Sequence, residues 1–130
     1  MIKKRILDPE RIRRIDGGFA FIPHRFLTDG FLADLSRDEI VLYFFLALVA
    51  DRHGLSFYSY ASICSLLQLT LDQYLEARDA LIEKQLIAFD GSIFQVLDLP
   101  RKPAQTAKPK EDPARVRQMI IKSLQEARDG

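Results

Sequence analysis

The sequence predicts an α+β fold, mainly helical, with three core helices, one short strand and a C-terminal β-hairpin. Three observations carry this. Ser36 with Glu39, and Thr70 with Gln73, place a capping residue and its acidic or amide partner three positions apart, each pair heading a long apolar run. "LSFYS", Leu55 to Ser59, is aromatic and polar by turns, which suits a brief strand. Two apolar runs, "LIAF" and "IFQVLDL", are joined by Asp90, Gly91 and Ser92, and Asp-Gly is a favoured pair for a tight hairpin turn.

In chain order, the main body opens at Gly17-Gly18, where a charged segment gives way to "FAFIPHRFLTDGFLADL", apolar and broken by Pro23 and Gly30. The helix headed by Ser36 has almost no polar face: Ile40, Val41, Tyr43, Phe44, Phe45, Leu46, Leu48 and Val49 are all apolar, and Gly54 is its expected stop. Such a helix is covered on several sides or meets another chain. It is expected to be the spine of the core, with Phe44 a buried ring. "SYASICSLLQL", capped by Ser59, should turn Ile63, Leu66 and Leu67 inward. In the next helix Leu71, Tyr74, Leu75, Leu81 and Ile82 recur on one side, and its end is expected near Lys84 or Gln85.

Beyond Leu99 the composition shifts to "PRKPAQTAKPKE", a proline-rich and lysine-rich linker of residues 100–111. Fully extended, it would reach on the order of 37 Å at about 3.1 Å per residue. Residues 112–130 then begin with Asp112 as a cap and Pro113 at the first helical position, and Val116, Met119, Ile120, Leu124 and Ala127 form one apolar stripe. The chain thus divides into a basic N-terminal arm (1–16), a central domain (17–99), the linker and an amphipathic C-terminal helix. "DPERIRRI" in the arm matches "DPARVRQM" at Asp, Pro, Arg and Arg, so both ends are candidates for short basic helices.

A chain of 130 residues with 48% hydrophobic content is sized for one domain with its own core. The lone cysteine, Cys64, has no partner in the chain and is expected to be a packed thiol. His24 and His53 form no zinc-ligand cluster, so neither a metal nor another cofactor is expected. No glycine-rich phosphate loop and no nucleophile beside a base are present, so an enzyme and a small-molecule substrate are not expected either. The opening segment has no apolar stretch of signal-peptide length, and the longest uncharged run, Ile40 to Ala50, is eleven residues. The expectation is a cytoplasmic protein with no membrane span.

Net charge of +1 conceals a sorting by region. Residues 1–16 hold six basic and three acidic residues, residues 17–99 hold five and eleven, and residues 100–130 hold eight and four. An acidic body carries two basic extensions.

The middle of the chain resembles winged-helix domains, specifically those of plasmid replication initiators and primosome-loading proteins. The features that carry the resemblance are "SRDEIVLYFFLALVADRHGLSF", then "SICSLLQLTLDQYLEARDALIEKQLI", and the short wing "FDGSIFQV"; together they span roughly Phe19 to Leu99. What this resemblance implies is a non-catalytic DNA-binding or assembly module, with the helix from Thr70 to Lys84 in the place of the recognition helix. Three residues depart from the pattern. Gln68 and Gln85 stand where glycines are usual, each costing about 1 kcal/mol in a left-handed conformation. Arg78 stands where a core leucine is usual, and its guanidinium needs a partner.

The outward side of that helix collects Asp72, Gln73, Glu76, Asp79, Ala80, Glu83 and Lys84, four acids against one base, and the hairpin tip offers no cation. Phosphates repel such a face. It reads as a solvated surface, or as a dock for a basic protein partner through Asp72, Glu76 and Asp79. Nucleic-acid contacts therefore fall to the extensions: Lys3, Lys4, Arg5, Arg11, Arg13 and Arg14 before the body, and Arg101, Lys102, Lys108, Lys110, Arg115 and Arg117 after it, with Gln73 and Lys84 as the helix's own candidates. The extensions can equally be solubilising tails. The stripe of Val116, Met119, Ile120 and Leu124 can pair with a second copy, dock on a larger protein or fold back. Two functions follow: a DNA-associated protein of the initiator or transcription-regulator kind held by its arms, or a protein-protein adaptor without direct DNA binding.

Overall fold

The computed structural model describes residues 2–104, so the predicted C-terminal helix with Val116, Met119, Ile120 and Leu124, and the linker lysines Lys108 and Lys110, lie outside the described residues. Within that range the protein is a mainly helical α+β fold with a small antiparallel sheet. Four helices, α1 (Arg25–Thr28), α2 (Arg37–Val49), α3 (Tyr60–Leu67) and α4 (Leu71–Glu83), accompany three strands, β1 (Leu55–Ser56), β2 (Ile87–Phe89) and β3 (Phe94–Val96).

Local capping chemistry sets the helix starts. The hydroxyls of Ser36, Ser59 and Thr70 accept from the amides of Glu39, Ser62 and Gln73. Thr70 and Gln73 complete a reciprocal capping box, the Gln73 side chain accepting from the Thr70 amide at 2.8 Å. Left-handed residues set two of the stops. Gln68 (φ 56°) closes α3 and Gln85 (φ 63°) follows α4, the two positions where the resemblance led us to expect glycine.

The helix α2 ends earlier than expected. Ala50 is already extended, and the next residues form a turn in which Asp51 Oδ1 accepts from the amides of His53 and Leu55. Gly54 therefore serves this turn and not the helix. Its φ of +84° brings its carbonyl 2.8 Å from the Val96 amide, and a Cβ there would run into the Val96 carbonyl oxygen.

The strands form one sheet in the order β1-β3-β2, with Leu55 opposite Gln95 and Phe89 opposite Phe94. The hairpin loop takes four residues, Asp90 to Ile93, because Asp90 Oδ1 accepts from both the Ser92 and the Ile93 amides and draws Ile93 out of the strand. Phe89 and Phe94 stack at 4.2 Å beside it.

The core lies between α2, α3, α4 and the sheet, where Leu42, Leu46, Ile63, Leu81, Leu86, Ile87 and Phe94 are fully buried. Each such side chain contributes about 1.5–3 kcal/mol. The segment before α2, apolar and broken in sequence, wraps this core through Phe26, Phe31 and Leu35, with Phe26 stacked 4.7 Å from Tyr43.

Four apolar side chains do not lie where the sequence places them. Phe44 is 56% exposed while its neighbour Phe45 is 7% exposed. At 100° per residue Phe44 falls on the side of α2 opposite Leu42 and Leu46, which face α4 and β3. Leu66 on α3, and Leu71 and Ile82 on α4, are likewise exposed at the edges of their helices. Among the described residues, no helix is long and apolar enough to cross a membrane.

Candidate nucleic-acid interface

The N-terminal arm projects from the body. Residues 2–21 are all exposed, and among the described residues before Gly17 the only regular structure is a single 3-10 turn, Pro9–Arg11, capped by Asp8. The expected helix is thus one turn, with Pro9 fixing its start. Lys3, Lys4, Arg5, Arg11 and Arg13 form no ion pair among the described residues. Arg14 lies 3.9 Å from Asp16, with both side chains more than four-fifths exposed. Water and salt screen such a pair heavily.

At the other end, Arg25 fixes the point where the chain leaves the body. Its guanidinium donates to the carbonyls of Leu99 (3.3 Å), Pro100 and Arg101 (3.2 Å), while Nε pairs with Asp29 at 2.9 Å. The backbone is thereby held and the Arg101 and Lys102 side chains stay exposed. Sequence reading missed this clamp because Arg25 and Pro100 are 75 positions apart.

The outward face of α4 is more acidic than its composition implies. Asp72, Glu76, Asp79 and Glu83 are exposed, but Lys84 is not among them. Its Nζ turns inward to Glu39 at 2.5 Å and to the Asp34 carbonyl at 2.7 Å, because the last turn of α4 packs against the start of α2. Burial alone would raise the Glu39 carboxyl, but hydrogen bonds from Lys84 and Ser36 and the ammonium charge outweigh it and hold that carboxyl below its ordinary value. Gln73 is engaged in the capping box through its Oε1.

Arg78 has found its partners. It pairs with Asp79 at 3.0 Å and lies 5.8 and 5.4 Å from the ring centroids of Tyr74 and Phe89. Burial disfavours its charge, and the contacts with Asp79 and Tyr74 outweigh that and raise its pKa. Around it runs a groove of about 610 Å³ floored by Tyr58, Tyr74 and Phe89 and edged by Phe57 and Tyr60. The aromatics Phe57, Tyr58 and Tyr60 were the signal for this groove, and reading Leu55 to Ser59 as a strand obscured the first two, since β1 stops at Ser56. The hairpin tip is anionic. Two backbone amides hold the Asp90 carboxyl below its ordinary value.

The described residues therefore expose acids on α4 and at the hairpin tip, and expose cations at Lys3, Lys4, Arg5, Arg11, Arg13, Arg14, Arg101 and Lys102, outside the central domain. No family model, curated protein or solved structure matches the chain.

Proposed function

We propose that this protein is a DNA-associated winged-helix protein, of the replication-initiator or regulator kind, which holds nucleic acid by its basic extensions while the acidic body positions or recruits. The reading rests on one observation: five of the six arm cations are exposed with no carboxylate partner among the described residues, while α4 presents no free cation to a phosphate. The order of helix, strand, helix, helix and hairpin supports the winged-helix part. Basic extensions neutralise phosphates without a shaped surface, so binding is strongly salt-dependent and weakly selective for sequence. The reading involves no catalytic step.

A salt titration of duplex binding by the full chain tests this. Each neutralised phosphate contributes about 0.9 to the log–log slope, so replacing Lys3, Lys4, Arg5, Arg11, Arg13 and Arg14 by Gln should reduce its magnitude by about 5. An unchanged slope, or no binding at low salt, overturns the proposal. The exposed acids of α4 favour a second reading, an adaptor for a basic protein partner. Charge reversal of Glu76 and Asp79 to lysine separates the two: under the first reading duplex binding in the same titration stays intact or strengthens, and under the second a pull-down loses its protein partner.

A further inference from the structure

Aspartate followed by glycine occurs four times in the chain, at Asp16-Gly17, Asp29-Gly30, Asp90-Gly91 and Asp129-Gly130. In such a pair the glycine has no side chain to shield its amide nitrogen, which can reach the carboxyl carbon of the aspartate before it. The last pair lies outside the described residues, and the fold treats the other three differently.

Asp29 and Asp90 are held. The Asp29 carboxylate accepts from Arg25 Nε at 2.9 Å, Gly30 is buried, and its amide donates to the Leu27 carbonyl. The Asp90 carboxylate accepts from the Ser92 and Ile93 amides at 2.8 and 2.7 Å. Those bonds hold its carboxyl below the ordinary value, and an ionised carboxylate has no hydroxyl to lose. Asp16 has neither restraint. Its side chain is 86% exposed, and its ion pair with Arg14 is 3.9 Å long. Gly17 is exposed as well, and its amide has no hydrogen-bond partner among the described residues. No atom beyond its chain neighbours lies within 4 Å of where a Cβ would stand.

We propose that the fold leaves Asp16 as the site of spontaneous backbone isomerisation, at the joint between the arm and the central domain. The Gly17 nitrogen bonds to the Asp16 carboxyl carbon while the carboxyl hydroxyl and the amide proton leave as water, which closes a succinimide ring. Water then opens the ring. Attack at the side-chain carbonyl returns aspartate, whereas attack at the main-chain carbonyl breaks its bond to nitrogen and leaves the chain running through the side chain, as isoaspartate. One water leaves and one enters, and nothing is oxidised or reduced. The product inserts one methylene into the main chain where the arm leaves the body. This chemistry requires no partner and stands apart from the DNA reading. If both hold, the closed ring removes one of the three acidic charges of residues 1–16 for as long as it lasts.

The test incubates the full chain at physiological temperature and near-neutral pH, native and in denaturant. Digestion with an endoprotease that cleaves before aspartate but not before isoaspartate, with mass analysis of the peptides, then gives the rate at each position. In the native protein Asp16 should convert about 10-fold or more faster than Asp29 and Asp90, which must first give up charge-assisted hydrogen bonds. In denaturant the three rates should converge. Asp16→Glu keeps the charge on an exposed site and lengthens the ring that would have to close, so it should stop conversion there and leave the thermal melt unchanged. Native-state conversion at Asp16 no faster than at Asp29 or Asp90 overturns the proposal. So does a preference for Asp16 that persists unchanged in denaturant, since the fold is then not its cause, or a native Asp16 that stays intact while the denatured chain converts.

Discussion

Lys84 Nζ lies 2.5 Å from Glu39 Oε1, tying the end of α4 to the first turn of α2 across 45 positions of sequence. The two side chains are 11% and 12% exposed, and the ammonium also lies 4.0 Å from an Asp34 carboxylate oxygen. Glu39 receives the Ser36 hydroxyl at 2.6 Å as well, so one carboxylate serves both the cap of α2 and the link to α4. This link makes the outward face of α4 uniformly acidic, since its single lysine is withdrawn.

Removing the ammonium leaves a largely buried carboxylate without its counter-charge, and Lys84→Met should destabilise by roughly 3 kcal/mol. The pH dependence has a definite sign. The folded Glu39 carboxyl lies below its ordinary value of 4.5, so its contribution is complete above that value and fades as pH falls through the lower folded one. Chemical denaturation of the wild type from about pH 6 to pH 3 should show this decline, and Glu39→Gln should flatten it. Coincident profiles for the two proteins would remove the link from any account of stability.

The two phenylalanines in the middle of α2 should separate cleanly. Phe45 is buried and meets Tyr58 edge-on at 5.2 Å, so Phe45→Ala should destabilise by about 3–5 kcal/mol. Phe44 is exposed, and Phe44→Ala should change monomer stability by less than about 1 kcal/mol. Equal losses for the two would place Phe44 in the core after all.

What was legible in the sequence follows from range. The caps at Ser36, Ser59 and Thr70 depend on neighbours within a few residues, and each lies where its local pattern put it, whereas the left-handed turns at Gln68 and Gln85 were expected only from the resemblance. The orientation of α2 was not legible, because Ile40, Phe44 and Leu48 are as apolar as Leu42 and Leu46 and periodicity cannot choose between two apolar faces. Lys84 was assigned outward for a different reason: its carboxylate lies on another helix. Arg78's need for a partner followed from the resemblance, which put it where a core leucine is usual, but the neighbouring aspartate and two rings that meet it did not. The arm's cations were legible as composition, and the structure adds their exposure without adding a shaped site.

The positive-φ positions give the last prediction, and they divide by what surrounds them. Gln68 and Gln85 adopt φ values of 56° and 63° that a side chain disfavours by about 1–2 kcal/mol, partly offset by glycine's greater freedom when unfolded. Gln68→Gly and Gln85→Gly should each stabilise by about 0.5–1 kcal/mol. Gly54 is the opposite case. At φ +84° its α-carbon faces the Val96 carbonyl, and its own carbonyl accepts from the Val96 amide at 2.8 Å. A methyl group there must push backbone apart at the junction of β1 and β3, so Gly54→Ala should cost more than about 2 kcal/mol. Thermal melts of the three variants check the order, and a Gly54→Ala protein as stable as wild type would show that the turn from Asp51 to Leu55 is free to move away from β3.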